Sequence, residues 1–146
     1  VRGVPDRDAD VVDRPIGQHP KVREQMAIRL DDPAAKPAVT KLEVVERFER
    51  FALIKAMPKT GRTHQIRIHL ASLGFPVLCD KLYGGASQVT AAELGLVDGD
   101  QIVLGRQALH ARRLSLGHPQ TGERISFEAP LPEDISAVIS CLRSLG

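Results

Sequence analysis

The stretch KTGRTHQIRIHLASLGFP, residues 59–76, predicts a tight turn that leads into one amphipathic helix. Its apolar side chains recur at i, i+4 and i+7, the spacing of a single helix face: Ile66, Leu70 and Leu73. Thr63 is the expected N-cap residue, because its hydroxyl can accept a hydrogen bond from a free N–H of the first turn. Gly74 is expected in the left-handed position after the last turn, and Pro76 cannot continue a helix. The helix therefore has a predicted start, core face and stop.

The start of this helix carries many basic and hydrogen-bonding side chains and no acid. The segment from Thr60 to His69 includes two arginines and two histidines. Arg67 lies off the apolar face, so the helix would hold its backbone while the guanidinium points elsewhere. Such an arginine can hold a phosphate, form a two-pronged pair with a functional carboxylate, or make a salt bridge within its own fold. Free N–H groups at a helix start also favour anions.

The rest of the chain predicts an α+β fold with a mostly antiparallel mixed sheet and flanking helices, in a single domain of residues 1–146. Residues 1 to about 38 are rich in Pro and charge, which favours loops and short strands. Two β-hairpins and two further helices are expected after them. The hairpins turn at residues 48–50 and 117–122, and the helices cover residues 90–96 and 132–145.

Composition narrows the class of protein. The chain of 146 residues is 42% hydrophobic and 26% charged, as in a globular domain. Five aromatic residues, four Phe and one Tyr, argue against a nucleic-acid binder built mainly on base stacking. The net charge of +2 is too small to indicate a polyanionic partner. Basic residues nevertheless concentrate in residues 55–81 and 102–122, which form either one basic face or ordinary solvated surface.

Several kinds of site are not expected. Two cysteines do not make a disulfide scaffold, which favours a reducing, cytoplasmic setting, and no apolar run is long enough to cross a membrane. His64 and His69 are five positions apart, so they lie on different helix faces and do not form a metal pair. The chain has no G-x-S-x-G and no phosphate-binding glycine motif. No metal, cofactor or membrane is therefore predicted.

Three segments resemble the RluA-type pseudouridine synthases. TGRTHQIRIHLASLGFPVLCDKLYG, residues 60–84, resembles the third conserved motif of that family and the G-x-P-x-x-x-D-x-x-Y-G stretch after it. RQALHARRLSLGHPQTGERISFEAPLP, residues 106–132, resembles the family's L-H-A strand and the turn and strand that follow. VVDRPIGQHP and KPAVT, residues 11–20 and 36–40, resemble the segment before the motif. The resemblance covers essentially the whole chain.

The resemblance implies an isomerase that converts uridines of ribosomal or transfer RNA to pseudouridine without a cofactor or metal. In that family the target base is flipped into a basic cleft, where an essential aspartate acts on the nucleotide. Arg67 corresponds to the arginine that pairs with this aspartate. The family's other matching positions imply RNA or substrate contacts at Arg62, Thr63, His64, Gln65, Leu109 and His110.

The essential aspartate itself has no counterpart here. The family carries it in H-R-L-D-x-x-T-S-G, well before the arginine motif. Arg29-Leu30-Asp31 imitates the middle of that signature, but Ile28 replaces the histidine and Asp31 is too close to Arg67 in sequence. Tyr83 follows the motif, so it is not the tyrosine that the family places between aspartate and arginine. Asp31 is therefore expected to be a chance match.

We expect the chain to be the C-terminal part of an RluA-like catalytic domain that lacks the aspartate half and is inactive alone. An isolated half-sheet would be marginally stable or self-associating. A non-catalytic RNA-binding module or pseudoenzyme that keeps the basic cleft is the alternative. Cys79 replaces the glycine that the family usually has before Asp80. Either this turn needs no positive φ, or it tolerates cysteine.

Overall fold

The computed structural model describes residues 1–96 and 99–145 and confirms the α+β class. Six elements precede the middle of the chain: β1 (Ala9–Asp13), β2 (Ile16–Gln18), β3 (Met26–Ile28), β4 (Val39–Arg47), β5 (Ala52–Pro58) and α1 (Gln65–Ser72). Six follow: β6 (Val89–Thr90), α2 (Ala91–Leu94), β7 (Ile102–Leu104), β8 (Arg113–Gly117), β9 (Arg124–Glu128) and α3 (Glu133–Ser144). Within the described ranges, no helix is both long and apolar enough to cross a membrane.

The strands form one small sheet and three ribbons. The sheet has the order β1-β4-β5, while β2-β3, β6-β7 and β8-β9 pair separately. Each pairing in the described residues is antiparallel, which confirms the mostly antiparallel character expected from the sequence. Both expected hairpins are confirmed, since β4 pairs with β5 and β8 pairs with β9. In each case a short loop joins two antiparallel neighbours directly.

Helix α1 packs on the inner face of the sheet. On β4, Thr40 and Leu42 are buried while Lys41 between them is exposed, which is the alternation of a half-buried strand. Leu70 joins Leu42 in one apolar cluster, with the other two residues of the predicted stripe packed against it. The predicted core face of α1 is therefore confirmed, and it places the polar start of the helix beside the ends of β4 and β5.

The C-terminal end of α1 was predicted correctly, but its N-cap was not. Gly74 has φ +85°, and the N–H groups of Gly74 and Phe75 bond the carbonyls of Ala71 and Leu70, which closes the expected left-handed stop. At the other end the N-cap position belongs to His64, with φ 56°, rather than to Thr63. The N-cap prediction was wrong because a buried glutamine side chain organises this turn, as described below.

A second core forms where α3 packs on β7. The predicted apolar face of α3 is confirmed, because its buried residues are Ile135, Val138, Ile139 and Leu142. Cys79 lies in this core with φ 57°, and its Sγ donates to the Leu104 carbonyl at 3.4 Å. Of the two explanations for this cysteine, the structure supports the second: the turn needs a positive φ and tolerates Cys.

Candidate active site

Gln65 ties the turn before α1 to the edge of β4. Its side-chain oxygen accepts from the Thr60 hydroxyl at 2.7 Å and from the Arg62 N–H at 3.0 Å. Its nitrogen donates to the Val39 carbonyl at 2.9 Å and to the Thr40 hydroxyl at 3.0 Å. The residue is only 4% exposed. Its amide groups are fully used inside the protein, so the geometry gives Gln65 a structural role rather than an RNA contact.

His69 continues this network beneath the helix. Its Nε2 lies 3.0 Å from the Arg14 carbonyl, which can only accept, so Nε2 carries the proton. Nδ1 must then accept from the Thr40 hydroxyl, 2.8 Å away, and Thr40 in turn accepts from Gln65. Burial is the main cause that lowers the pKa of His69 below its ordinary value. The neutral ring is therefore a fixed part of the core.

Arg67 is paired with a carboxylate of this chain, in addition to the catalytic aspartate that the resemblance leads us to expect outside it. Its Nε donates to Asp80 Oδ2 at 2.8 Å, and its Nη2 donates to Asp80 Oδ1 at 2.7 Å. The third of the three roles left open for Arg67, a salt bridge within its own fold, is therefore realised. Among residues 1–96 and 99–145, the exposed Asp31 forms a salt bridge only with nearby Arg29, at 3.3 Å, consistent with a chance match to the aspartate signature.

Asp80 is held as firmly as the arginine that it binds. Its side chain is fully buried, and Oδ1 also accepts from the N–H groups of Leu82 and Tyr83 at 3.1 and 3.2 Å. Burial raises the pKa of Asp80, but the hydrogen bonds from Arg67 and from these N–H groups outweigh it and lower the pKa below its usual value. The hydrogen bond to Asp80 likewise raises the pKa of Arg67. Both groups are ionised at neutral pH.

Tyr83 covers one face of the Arg67 guanidinium. The guanidinium carbon lies 4.9 Å from the centre of the ring, which is a cation–π contact. The Tyr83 hydroxyl accepts from the Met26 N–H at 3.1 Å and lies 3.0 Å from His64 Nδ1. Partial burial, followed by the nearby charge of Arg67, lowers the pKa of His64. The predicted site residues His64 and Arg67 are therefore joined through a tyrosine that the sequence analysis had set aside.

Arg62 and Thr63 lie in the turn that leads into α1. Arg62 Nε donates to the Pro37 carbonyl at 3.0 Å, and neither terminal nitrogen of its guanidinium has a hydrogen bond in the described ranges. Thr63 is exposed and makes no hydrogen bond to the described residues. Both residues therefore carry hydrogen-bonding groups without partners in the described residues, just before the helix that holds Arg67.

Leu109 and His110 are not joined to this cluster by any recorded hydrogen bond among the described residues. The His110 ring instead donates from Nε2 to the Ala129 carbonyl at 3.2 Å. The segment before them does reach the site. With its amide oxygen turned toward Arg67, the Gln107 side chain accepts from Nε at 2.7 Å and from Nη2 at 3.2 Å.

Three residues of the site were not predicted from the sequence: Asp80, Tyr83 and Gln107. The first two stand in the D-x-x-Y-G part of the quoted motif, so that motif was the signal that could have identified them. Gln107 had no such signal. Across residues 1–96 and 99–145, no group of three histidine, cysteine or acidic side chains could hold a metal ion. The cluster thus offers charge and hydrogen bonds, not metal ligands.

Comparison with known proteins identifies similar RNA pseudouridine synthases. The family described as RNA pseudouridylate synthase matches residues 5–72. The chain is 40% identical over all 146 residues to the protein of Bacillus subtilis (strain 168) named Uncharacterized RNA pseudouridine synthase YlyB, and covers 43% of it. It is 44% identical over 135 residues to Ribosomal large subunit pseudouridine synthase D of Vibrio parahaemolyticus, which is 90% of this chain and 40% of that protein.

The fold is similar to that of a solved human structure as well. Human RNA Pseudouridylate Synthase Domain Containing 4 matches with a TM-score of 0.67 at 28% identity, over 97% of this chain and 59% of that one. This chain spans about two fifths of the length of the curated relatives it matches. Identity, fold and the motif around Arg67 agree in making the chain similar to RNA pseudouridylate synthases.

Proposed function

We propose that this chain forms the arginine side of the active site of an enzyme that isomerises uridine to pseudouridine in RNA, without a cofactor or metal. The observation that carries the proposal is the setting of Arg67. Its guanidinium is held on one edge by Asp80 and on one face by Tyr83, yet Nη1 has no hydrogen bond in the described residues. Since no unbonded side-chain nitrogen in those residues is buried, Nη1 reaches solvent. The arginine can therefore bind a second anion.

We infer that this second anion is the family's aspartate, contributed by a segment outside these 146 residues. Arg67 would hold that carboxylate ionised and in place. In the isomerisation the bond from C1′ to N1 breaks, the base turns, and a bond from C1′ to C5 forms. The proton on C5 is lost and N1 gains a proton, so atoms and charge balance without an external reagent.

RNA is the substrate class that the surrounding residues favour. Arg62 and Thr63 offer free donors in the turn that leads into the helix of Arg67, which suits contacts to the phosphates around a flipped nucleotide. We place ribosomal RNA first, because several relatives are named ribosomal large subunit pseudouridine synthases, and transfer RNA second. We also place the protein in the cytoplasm, where the free cysteines Cys79 and Cys141 would stay reduced.

Loss of the C5 proton provides the assay. RNA labelled with tritium at C5 of uridine should release tritium when treated with the product of the complete reading frame that encodes this chain. We expect Arg67→Lys to reduce the rate on the order of 100-fold, because lysine cannot reproduce the planar two-edged contact. Arg143→Lys is the matched control. Arg143 also forms a two-pronged pair, with Glu46, but its side chain is exposed on α3.

Two outcomes distinguish the pseudouridine-forming enzyme from a non-catalytic RNA-binding module. Tritium release that depends on Arg67 supports the enzyme, and the 146-residue chain alone should release none. RNA binding without release from either ribosomal or transfer RNA would contradict the proposal and favour the non-catalytic RNA-binding module.

A further inference from the structure

The end of Arg67 that remains free is determined by Asp80. A guanidinium carries five N–H donors in a rigid plane. Asp80 accepts from Nε–H and from Nη2, and Gln107 accepts from the same two nitrogens, so both N–H groups of Nη1 remain without a partner in the described residues. These two donors lie at the end of the guanidinium away from Nε. A second carboxylate or phosphate can therefore meet Arg67 only at this end.

Asp80 cannot itself turn toward a substrate. Its side chain has no exposed surface, and its Oδ1 is also held by the N–H groups of Leu82 and Tyr83. The turn around it is closed by the Gly84 N–H, which donates to the Asp80 carbonyl at 2.7 Å. A Cβ at position 84 would lie 3.0 Å from that same carbonyl oxygen, so the tight closure favours glycine. The carboxylate is therefore rigid and enclosed.

The plane of the guanidinium is fixed as well as its edge. The Tyr83 ring lies against one face at 4.9 Å, and the Gln107 amide lies against Nε. The Tyr83 hydroxyl is anchored by the Met26 N–H, so the ring does not move freely. With edge and plane both fixed, binding a second anion costs Arg67 little additional conformational entropy.

We propose that Asp80 is a positioning residue for the reaction: it binds the Nε and Nη2 edge of Arg67 and thereby presents the Nη1 end to a second carboxylate in the cleft. This inference rests on the proposed function. Asp80 acts through Arg67 and does not touch the nucleotide. Its role is distinct from simple stabilisation, since buried ion pairs are often no more stabilising than well-packed apolar side chains.

Asp80→Asn tests the proposal in the product of the complete reading frame. Asparagine keeps an oxygen for the N–H groups of Leu82 and Tyr83 but replaces the acceptor of the Arg67 Nε–H by an NH2 group. We expect kcat for tritium release to fall on the order of 100-fold, while KM for the RNA changes less than about threefold. The matched control is Glu46→Gln, which removes the carboxylate of the exposed pair with Arg143 and should leave both constants unchanged.

A double variant distinguishes positioning from independent action. If Asp80 acts through Arg67, Asp80→Asn should lower the rate of Arg67→Lys by less than about threefold, because the oriented group is already lost. A further 100-fold loss in the double variant would overturn the proposal. Wild-type kcat in the single Asp80→Asn variant would overturn it as well.

A spectroscopic measurement needs neither activity nor a folded variant. In the wild-type protein labelled with ¹⁵N-arginine, the Arg67 Nε–H should exchange with solvent at least 10-fold more slowly than that of Arg143, whose side chain is 57% exposed. Equal exchange rates would overturn the proposal. Slow exchange together with no tritium release from any RNA would support the Arg67 geometry while contradicting the proposed function.

Discussion

Thr40→Val should destabilise the protein although the two side chains have nearly the same shape. Thr40 is completely buried, and its hydroxyl is the only recorded partner of His69 Nδ1 among the described residues. The variant leaves Nδ1 buried without a donor, which costs about 1–3 kcal/mol. Gln65 loses one of its two acceptors, about 0.5–1.5 kcal/mol, but keeps the Val39 carbonyl. An added buried methyl group returns about 0.8 kcal/mol.

The net loss is about 2 kcal/mol, which for a chain of this size lowers Tm by about 4–8 °C. Urea unfolding followed by far-ultraviolet circular dichroism measures it. Thr40→Ser keeps the hydroxyl and loses only a buried methyl, about 1 kcal/mol, so the expected order of stability is wild type, Ser, Val. Thr63→Val, at an exposed threonine, should change stability by less than about 0.5 kcal/mol. A valine variant at least as stable as the serine variant would refute the hydrogen-bond argument.

Three further results are expected. Cys79 has φ 57°, a left-handed conformation that costs about 1–2 kcal/mol for any residue with a Cβ. Because glycine does not have this strain, Cys79→Gly should unfold at a urea concentration no lower than that for Cys79→Ala. A glycine variant that is clearly less stable than the alanine variant would contradict this. Burial lowers the pKa of His69 below 6.5, so the unfolded chain binds a proton at this residue more readily than the folded chain does. The free energy of unfolding should therefore be highest above pH 6.5 and decrease below it. A urea midpoint that is constant from pH 7.5 to 5.5 would argue against the buried neutral ring. Leu114 and Phe127 face each other across β8-β9 and are 59% and 56% exposed, so the isolated chain should self-associate through them. Changing both to Lys should raise the protein concentration at which dimers form by at least 10-fold in analytical sedimentation, whereas Ser115→Lys on the other face should not. A chain that stays monomeric at high concentration would exclude this surface.

Much of the fold could be predicted from local patterns. The core face of α1, its glycine stop, the apolar face of α3 and both hairpins are confirmed, because each depends on periodicity or turn chemistry within a few residues. The N-cap of α1 could not be predicted this way. Thr63 has the right residue type, but the buried Gln65 amide satisfies the turn through contacts with β4, which are remote in sequence.

The candidate site was predicted in part. The sequence places Arg62, His64 and Arg67 in one basic turn and helix start, and the structure keeps them there. The role of Gln65 was not predictable, because whether an amide faces a substrate or the core depends on which strand the helix packs against. The same reason explains Gln107, which reaches Arg67 from a segment 40 positions later in the sequence.

The sequence by itself determined the similarity to pseudouridine synthases, the helix that carries Arg67 and the hydrogen-bonding groups at its start, because these depend on contiguous motifs. Only the tertiary structure decided what Arg67 binds. Asp80 lies 13 positions away, beyond the end of α1, and no local pattern reports that the turn after the helix folds back against the guanidinium. That pairing is a matter of three-dimensional packing, and it decides which end of the arginine is left free for chemistry.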